Sequence, residues 1–220
     1  MCNSVIFDVD GTLLDGTEGI IKSVNHAISV MKLPKLTEEE LISFVGPPVQ
    51  NSAKKKFSLT DDEAQIFANI FRKKYAEDDV YLAKVYNGIY DLLEFLKQKN
   101  YKLGVATYKR EDYAINLMRY FKFDAYFDSI CGADNENKLT KFDILVKCKN
   151  SLSLNNNKII MVGDSYHDAQ AADELGIDFI GVTYGFGFKT EADVNKYPNI
   201  LCAKTPYDIL DYCKTYYNKI

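Results

Sequence analysis

The sequence predicts an α/β protein in which a doubly wound parallel sheet carries an inserted, all-helical domain. From Gly88 onward, short apolar segments alternate with amphipathic helical patterns, which is typical of a parallel sheet covered by helices on both faces. Between Asp15 and Asn87, in contrast, no strand-like alternation appears. We therefore expect an α/β core formed by residues 1–15 and 88–220, and a helical domain formed by residues 16–87.

The first predicted strand, Val5-Ile6-Phe7, runs directly into two carboxylates, Asp8 and Asp10, and then into Gly11-Thr12. Charged side chains at the end of a strand contribute little to a core, so this stretch points to chemistry. Asp15-Gly16 is where we expect the helical domain to leave the core.

Three helical patterns follow in the inserted block. The first has apolar residues at three- and four-residue spacing, and the other two begin with an N-cap threonine followed by acidic residues, Thr37 and Thr60. The apolar faces of the first and third helices are Ile20, Val24, Ala27, Ile28 and Ile66, Phe67, Ile70, Phe71.

The core continues as alternating elements from Gly88 to the C-terminal region. The predicted strands are Tyr101–Ala106, an apolar stretch at Tyr126–Cys131, Lys158–Val162 and Phe179–Val182, and the predicted helices are Ile89–Leu96, Tyr113–Tyr120, Lys141–Lys149, Asp168–Leu175 and Pro206–Tyr217.

Composition limits the classes of partner and the location. The net charge is −4, from 27 basic and 31 acidic residues, so nothing favours nucleic acid as a partner. No signal-like segment and no bilayer-length apolar stretch appears, and we expect a cytoplasmic protein without membrane contact. The cysteines contain no C-x-x-C pair and are expected to be reduced thiols: Cys2, Cys131, Cys148, Cys202 and Cys213.

Polar residues gather where the predicted strands end. Asp8 and Asp10 follow the first strand, Thr107-Tyr108-Lys109 the second, and Gly163-Asp164-Ser165-Tyr166-His167-Asp168 a later one. Lys138 and Lys141 lie near the start of the helix between the last two. The carboxyl ends of parallel strands lie at one edge of the sheet, so we expect four acids, a hydroxyl and at least one lysine to converge there. Ligands of such sheets bind at this edge.

Crowded carboxylates repel one another unless a cation lies among them, and an all-oxygen set favours Mg²⁺. Such an ion, a lysine and free N–H groups in the Gly11-Thr12 turn would together receive a phosphate dianion. One aspartate could then attack phosphorus, and its neighbour two residues on could move the proton. His167 is expected to face solvent, because the carboxylates already supply acid/base function.

This ordered set of motifs resembles the haloacid dehalogenase superfamily: Asp8-x-Asp10-Gly11-Thr12, Thr107, a lysine, and Gly163-Asp164-x-x-x-Asp168. The inserted block resembles the helical cap of that superfamily. Further stretches resemble its phosphoglycolate phosphatase-like branch, namely Gly19–Val24, Val45–Pro48 and Gly181–Gly187. The resemblance covers essentially the whole chain.

The resemblance implies a role for each matching residue. Asp8 is the nucleophile and Asp10 the general acid/base. Mg²⁺ is bound by the side chains of Asp8 and Asp164 and by the backbone carbonyl of Asp10. Asp168 braces the lysine or a metal-bound water. The expected phosphate-binding residues are Gly11, Thr12, Thr107, Tyr108 and Lys141.

The chain departs from the pattern at two places. Relatives often have Lys-Pro where this chain has Asn137-Lys138-Leu139-Thr140-Lys141. Lys141 opens the helix and is preferred, and Lys138 is the alternative. Tyr108 stands where relatives often have Asn or Ser, which would alter the pocket.

The function predicted from these residues is Mg²⁺-dependent hydrolysis of a small phosphorylated metabolite through an aspartyl-phosphate. A phosphosugar mutase on the same scaffold is an alternative, and so is a phospho-acceptor signalling module without enzymatic activity. A dehalogenase would use Asp8 alone, so Asp10 and Gly11-Thr12 argue against it. The identity of the leaving group and the oligomeric state stay open.

Overall fold

The computed structural model describes residues 4–77, 79–136, 138–153 and 158–217. The chain divides into two compact units, one formed by Met1–Leu14 with Val85–Ile220 and the other by Asp15–Lys84. Cys2, and Asn137 of the lysine motif, lie outside the described residues.

The first unit is built on a six-stranded parallel sheet with the order β5-β4-β1-β6-β7-β8. Its strands are β1 (Ser4–Phe7), β4 (Lys102–Arg110), β5 (Ser129–Ala133), β6 (Ile159–Gly163), β7 (Asp178–Val182) and β8 (Leu201–Ala203). Its helices are α5 (Ile89–Gln98), α6 (Glu111–Tyr120), α7 (Lys141–Ser151), α8 (Tyr166–Leu175), α9 (Glu191–Val194) and α10 (Pro206–Tyr217). The predicted α/β class with a parallel sheet is confirmed.

β1 lies at the centre of this sheet, and its side chains alternate between the two faces. Ile6 belongs to the buried cluster formed with α7 and α8, whereas the Phe7 ring packs on Phe127, 6.1 Å between centroids. In register, Phe7 pairs with Val105 of β4 on one side and Val162 of β6 on the other. The carboxyl ends of β1, β4 and β6 therefore meet at one place.

The second unit is helical, with α1 (Thr17–Val30), α2 (Glu38–Ile42), α3 (Val49–Phe57), α4 (Asp61–Glu77) and a 3-10 turn at Asp79–Leu82. Thr37 forms the predicted N-terminal cap of α2, as a capping box with Glu40. Ile66 departs from the expected apolar face of α4, because its side chain is exposed whereas Phe67 is fully buried.

Asp79 is the buried polar centre of the helical unit. Its carboxylate accepts a hydrogen bond from Ser23 (2.8 Å) and pairs with the ammonium of Lys22 (2.8 Å). Burial opposes its charge, but these hydrogen bonds hold the pKa of Asp79 below its ordinary value. Gly19 lies so close that an added Cβ would be 1.9 Å from the Asp79 carbonyl oxygen.

Two short strands, β2 (Leu14–Asp15) and β3 (Lys84–Val85), form a separate two-stranded sheet. They were not predicted, and neither was β8, because two or three residues show no measurable alternation. Within the described part of the chain, no helix is long and apolar enough to cross a bilayer. Cytoplasmic location stays a prediction.

Candidate active site

Asp8 and Asp10 stand where β1 ends and the chain turns. The Asp8 N–H still donates to the Val162 carbonyl of β6 (2.9 Å), so the sheet holds this residue in place. Both carboxylates are largely buried, each residue being 8% exposed. Both residues lie just beyond the end of β1, which is the carboxyl edge of the sheet.

The turn after Asp10 corrects one expectation. The Gly11 N–H donates to the Leu14 carbonyl (2.9 Å) and the Thr12 N–H to the Val9 carbonyl (3.2 Å), so both groups serve the turn and neither is free for phosphate. The Thr12 hydroxyl is buried and has no hydrogen-bond partner among the described residues. Gly11 has φ +82°, and an added Cβ would lie 2.1 Å from Asp164 Oδ2. Gly11 and Thr12 therefore form the turn, and the missing side chain of Gly11 leaves room for the Asp164 carboxylate.

Asp164 follows β6 and is held by a distant loop. Its Oδ2 accepts hydrogen bonds from the N–H groups of Phe186 (2.6 Å) and Gly187 (3.0 Å). A Cβ on Gly185 would lie 2.2 Å from the Gly11 carbonyl oxygen and 2.5 Å from Asp164 Oδ2. The loop after β7 thus fixes the direction of this carboxylate, a role that the sequence did not reveal.

Three carboxylates, those of Asp8, Asp164 and Asp168, each offer an oxygen within 4.8 Å of the others, and all three residues are buried. Burial, together with the charges of Asp168 and Asp8, raises the pKa of Asp164 to about 7. Burial likewise raises the pKa of Asp8. A hard divalent cation would relieve this repulsion, and the all-oxygen donors suit Mg²⁺. The residues present therefore fit the expected ion.

Lys141 lies at the start of α7, behind a capping box formed by Thr140 and Asp143. Its ammonium is 2.7 Å from Asp8 Oδ1 and 2.7 Å from Asp168 Oδ1, and its side chain is 4% exposed. Burial alone would lower the pKa of Lys141, but Asp168 and Asp8 outweigh burial and raise it. Lys138, in contrast, is exposed and pairs with Glu136. Of the two candidate lysines, Lys141 is the one beside Asp8.

Asp168 connects two parts of the site. Its Oδ1 faces Lys141, while its Oδ2 accepts hydrogen bonds from the Ser165 N–H (3.1 Å) and hydroxyl (2.6 Å) at the start of α8. The same carboxylate therefore takes part in the capping box of α8 and contacts Lys141.

The end of β4 supplies Thr107, which is 1% exposed, and Tyr108. The Tyr108 hydroxyl accepts a hydrogen bond from the Lys141 N–H (3.0 Å), so this side chain supports the start of α7. His167 is half-buried against the rings of Tyr108 and Tyr166, 5.2 and 3.9 Å between centroids, which corrects the expectation that it faces solvent. Burial and the charge of Lys141 lower the pKa of His167.

Lys109 is a site residue to which the sequence analysis assigned no role. Its ammonium is 3.0 Å from Asp10 Oδ2, and its side chain is 5% exposed. Burial raises the pKa of Asp10, and Lys109 opposes that rise. The register of β4 shifts between Thr107 and Arg110, so regular strand alternation does not predict where the Lys109 side chain lies.

Comparison with known proteins shows which family this chain is similar to. The model of the haloacid dehalogenase-like hydrolases matches residues 5–182. A 5'-nucleotidase of Pseudomonas aeruginosa is 32% identical over 91% of this chain and 90% of its own. The tyrosine-protein kinase PtkA of Mycobacterium tuberculosis is 32% identical over 83% of this chain, which spans 62% of the kinase. A phosphoglycolate phosphatase of Escherichia coli O157:H7 is 26% identical, over 90% of this chain and 87% of its own.

The fold is shared with solved structures as well. A crystal structure of a predicted phosphatase from Clostridium acetobutylicum superimposes with a TM-score of 0.89 at 32% identity, covering 98% of this chain and 99% of the other. The resemblance that the motifs indicated is confirmed over nearly the full length of both chains.

Proposed function

Because the chain belongs to the haloacid dehalogenase-like hydrolases and is a phosphoric monoester hydrolase, we propose that it is a Mg²⁺-dependent phosphatase that acts on a small phosphorylated metabolite through an aspartyl-phosphate on Asp8. The observation that carries this is the contact of Asp8 with Lys141 at 2.7 Å, inside the buried carboxylate cluster. This contact supports Asp8 as the nucleophile, because the same ammonium can also balance the charge of the phosphoryl oxygens.

In the first step, an Asp8 carboxylate oxygen bonds to phosphorus and the bond from phosphorus to the leaving oxygen breaks. Asp10 gives its proton to that leaving oxygen, which departs as an alcohol. Lys141 balances the negative charge on the phosphoryl oxygens, and the hydroxyl of Thr107, a buried residue, binds one of them.

In the second step, Asp10 takes a proton from water while the water oxygen bonds to phosphorus. The bond between phosphorus and Asp8 then breaks, which releases inorganic phosphate and restores the Asp8 carboxylate. Asp10 thus returns to its protonated form, and no proton is gained or lost over the cycle beyond those of water and products.

Asp8 and Asp164 would hold Mg²⁺ with their carboxylates. The Asp10 carbonyl oxygen would join them, as the family resemblance implies. The ion would supply positive charge against the carboxylates and the phosphoryl oxygens. Asp168 would act behind them, since its Oδ1 is engaged with Lys141. The two N–H groups of Phe186 and Gly187 would keep Asp164 pointed at the ion.

The substrate class is a small phosphate monoester, and the relatives differ in what their names specify. A screen should therefore include 2-phosphoglycolate, nucleoside 5'-monophosphates and sugar phosphates, together with the anhydride pyrophosphate for comparison. The measurement is phosphate release with and without Mg²⁺, for wild type, Asp8→Asn and the control Asp173→Asn, whose side chain is exposed on α8.

We expect Mg²⁺-dependent phosphate release by wild type and Asp173→Asn and none by Asp8→Asn. Activity that survives Asp8→Asn would contradict the nucleophile. A product that keeps its phosphate on a different carbon would identify the phosphosugar mutase instead. A stable aspartyl-phosphate without turnover would identify the phospho-acceptor module.

A further inference from the structure

Lys109 and Asp10 form an ion pair that the two steps above leave unused. The Lys109 ammonium lies 3.0 Å from Asp10 Oδ2, and the two side chains are 5% and 11% exposed. Burying a lysine costs several kcal/mol that its partner at best offsets, and an uncharged side chain of similar length would fill the same space. Packing alone therefore gives no reason for an ammonium here.

An irregularity in the backbone of β4 accompanies the contact of Lys109 with Asp10. On β4, Thr107 pairs with Gly132, and the next paired residue is Arg110 with Ala133, so Tyr108 and Lys109 stand in an irregularity of the ladder. The Lys109 N–H donates to the Thr107 hydroxyl oxygen at 3.2 Å within it. Such bulges redirect side chains next to active sites.

The two buried lysines divide the carboxylates between them. Lys141 is engaged with Asp8 and Asp168, and Lys109 with Asp10. The nucleophile and the proton-transfer group thus each have their own cation. A carboxylate has two oxygens, and Lys109 occupies Oδ2 of Asp10.

We propose that Lys109 is a positioning residue: its ammonium holds Asp10 Oδ2, so that Oδ1 faces the oxygen that leaves phosphorus. This rests on the function proposed above. Oδ1 carries the proton to the leaving oxygen in the first step and takes a proton from water in the second. The lysine keeps its own protons throughout and touches no reacting atom.

A comparison of two substrates with different leaving groups tests whether Lys109 positions Asp10. Phenyl phosphate has a poor leaving group that needs protonation, whereas 4-nitrophenyl phosphate needs little. For Lys109→Met with Mg²⁺, we expect kcat on phenyl phosphate to fall on the order of 100-fold and kcat on 4-nitrophenyl phosphate by about tenfold or less, with KM for both nearly unchanged. Lys109→Arg should recover most of the loss, because its guanidinium also donates to a carboxylate.

A double-mutant cycle adds a second readout. If Lys109 acts through Asp10, Lys109→Met in an Asp10→Asn background should cost almost nothing further on phenyl phosphate. Lys102→Met is the matched control on the same strand, because Lys102 is half-exposed at the other end of β4. Thermal unfolding is measured for every variant, and Lys109→Gln, which is also neutral, replaces Lys109→Met if that variant does not fold.

Equal losses on the two esters, or full additivity with Asp10→Asn, would overturn the role of Lys109 alone. Wild-type protein that releases phosphate in Mg²⁺ from neither these esters nor any substrate of the screen above would contradict the proposed function itself. A kcat loss selective for phenyl phosphate, its rescue by Lys109→Arg and non-additivity with Asp10→Asn would together establish Lys109 as a positioning residue.

Discussion

Replacing Lys141 by methionine removes the cation from a cluster of buried carboxylates. Its ammonium is 2.7 Å from both Asp8 and Asp168. At an effective dielectric constant of about 20, each contact corresponds to about 6 kcal/mol of attraction. Most of that offsets the cost of burying the charges, and removing one member of such a group costs about 3–5 kcal/mol net. Lys141→Met should therefore lower the free energy of unfolding by about that amount in chelator.

The assay is urea unfolding of wild type, Lys141→Met and Lys138→Met, each in chelator and in excess Mg²⁺, together with phosphate release. Lys138 is exposed, with 76% of its side chain accessible, so Lys138→Met should stay within about 0.5 kcal/mol of wild type. Mg²⁺ should restore part of the stability of Lys141→Met, because the cation binds the folded cluster.

Turnover should fall at least about 100-fold in Lys141→Met even with Mg²⁺, since charge stabilisation is lost at phosphorus. The reasoning would be refuted if Lys138→Met lost activity while Lys141→Met retained it. A Lys141→Met protein as stable as wild type in chelator would show that the cluster does not depend on this ammonium.

Three other predictions concern the loop after β7, whose N–H groups hold Asp164, and the helical unit. Gly185→Ala should raise the half-saturating Mg²⁺ concentration for activity about tenfold or more, because the added Cβ would lie 2.2 Å from the Gly11 carbonyl oxygen. An unchanged half-saturating Mg²⁺ concentration would contradict this. Gly19→Ala should lower the free energy of unfolding by about 1–3 kcal/mol through its 1.9 Å contact with Asp79, whereas Ala at exposed Asn25 of the same helix should not destabilise. Because the folded pKa of Asp79 is depressed, the contribution of Asp79 to the free energy of unfolding is complete above the unfolded pKa of about 4 and is lost as pH falls through the folded pKa. Asp79→Asn should therefore reduce the pH dependence of the free energy of unfolding below about pH 5, measured by urea titration. An unchanged pH dependence would contradict the depressed pKa.

The parts of the site that follow directly from strand ends could be predicted from the sequence. Asp8, Asp10 and Asp164 come immediately after apolar strands, so parallel topology alone brings them to one edge. Lys141 could be preferred over Lys138 because it opens a capped helix, and the structure puts it beside Asp8.

The remaining parts depend on geometry that no local pattern encodes. Lys109 reaches Asp10 through an irregularity in the β4 ladder, which a run of residues does not announce. The N–H groups of Phe186 and Gly187 act on Asp164 from more than twenty residues away in sequence. The turn hydrogen bonds that engage the Gly11 and Thr12 N–H groups likewise appear only once the chain is folded.

The groups that contact the carboxylate cluster are far apart in sequence, which affects when the site can form during synthesis. Asp8 leaves the ribosome before Lys141, which lies 133 residues further along the chain, and the Phe186 and Gly187 donors come later still. A nascent chain that has exposed Asp8 lacks the groups that balance and orient the cluster. Hydrolytic competence should therefore arise in one late event, after the loop beyond β7 has docked, and shorter ribosome-bound chains should be inactive.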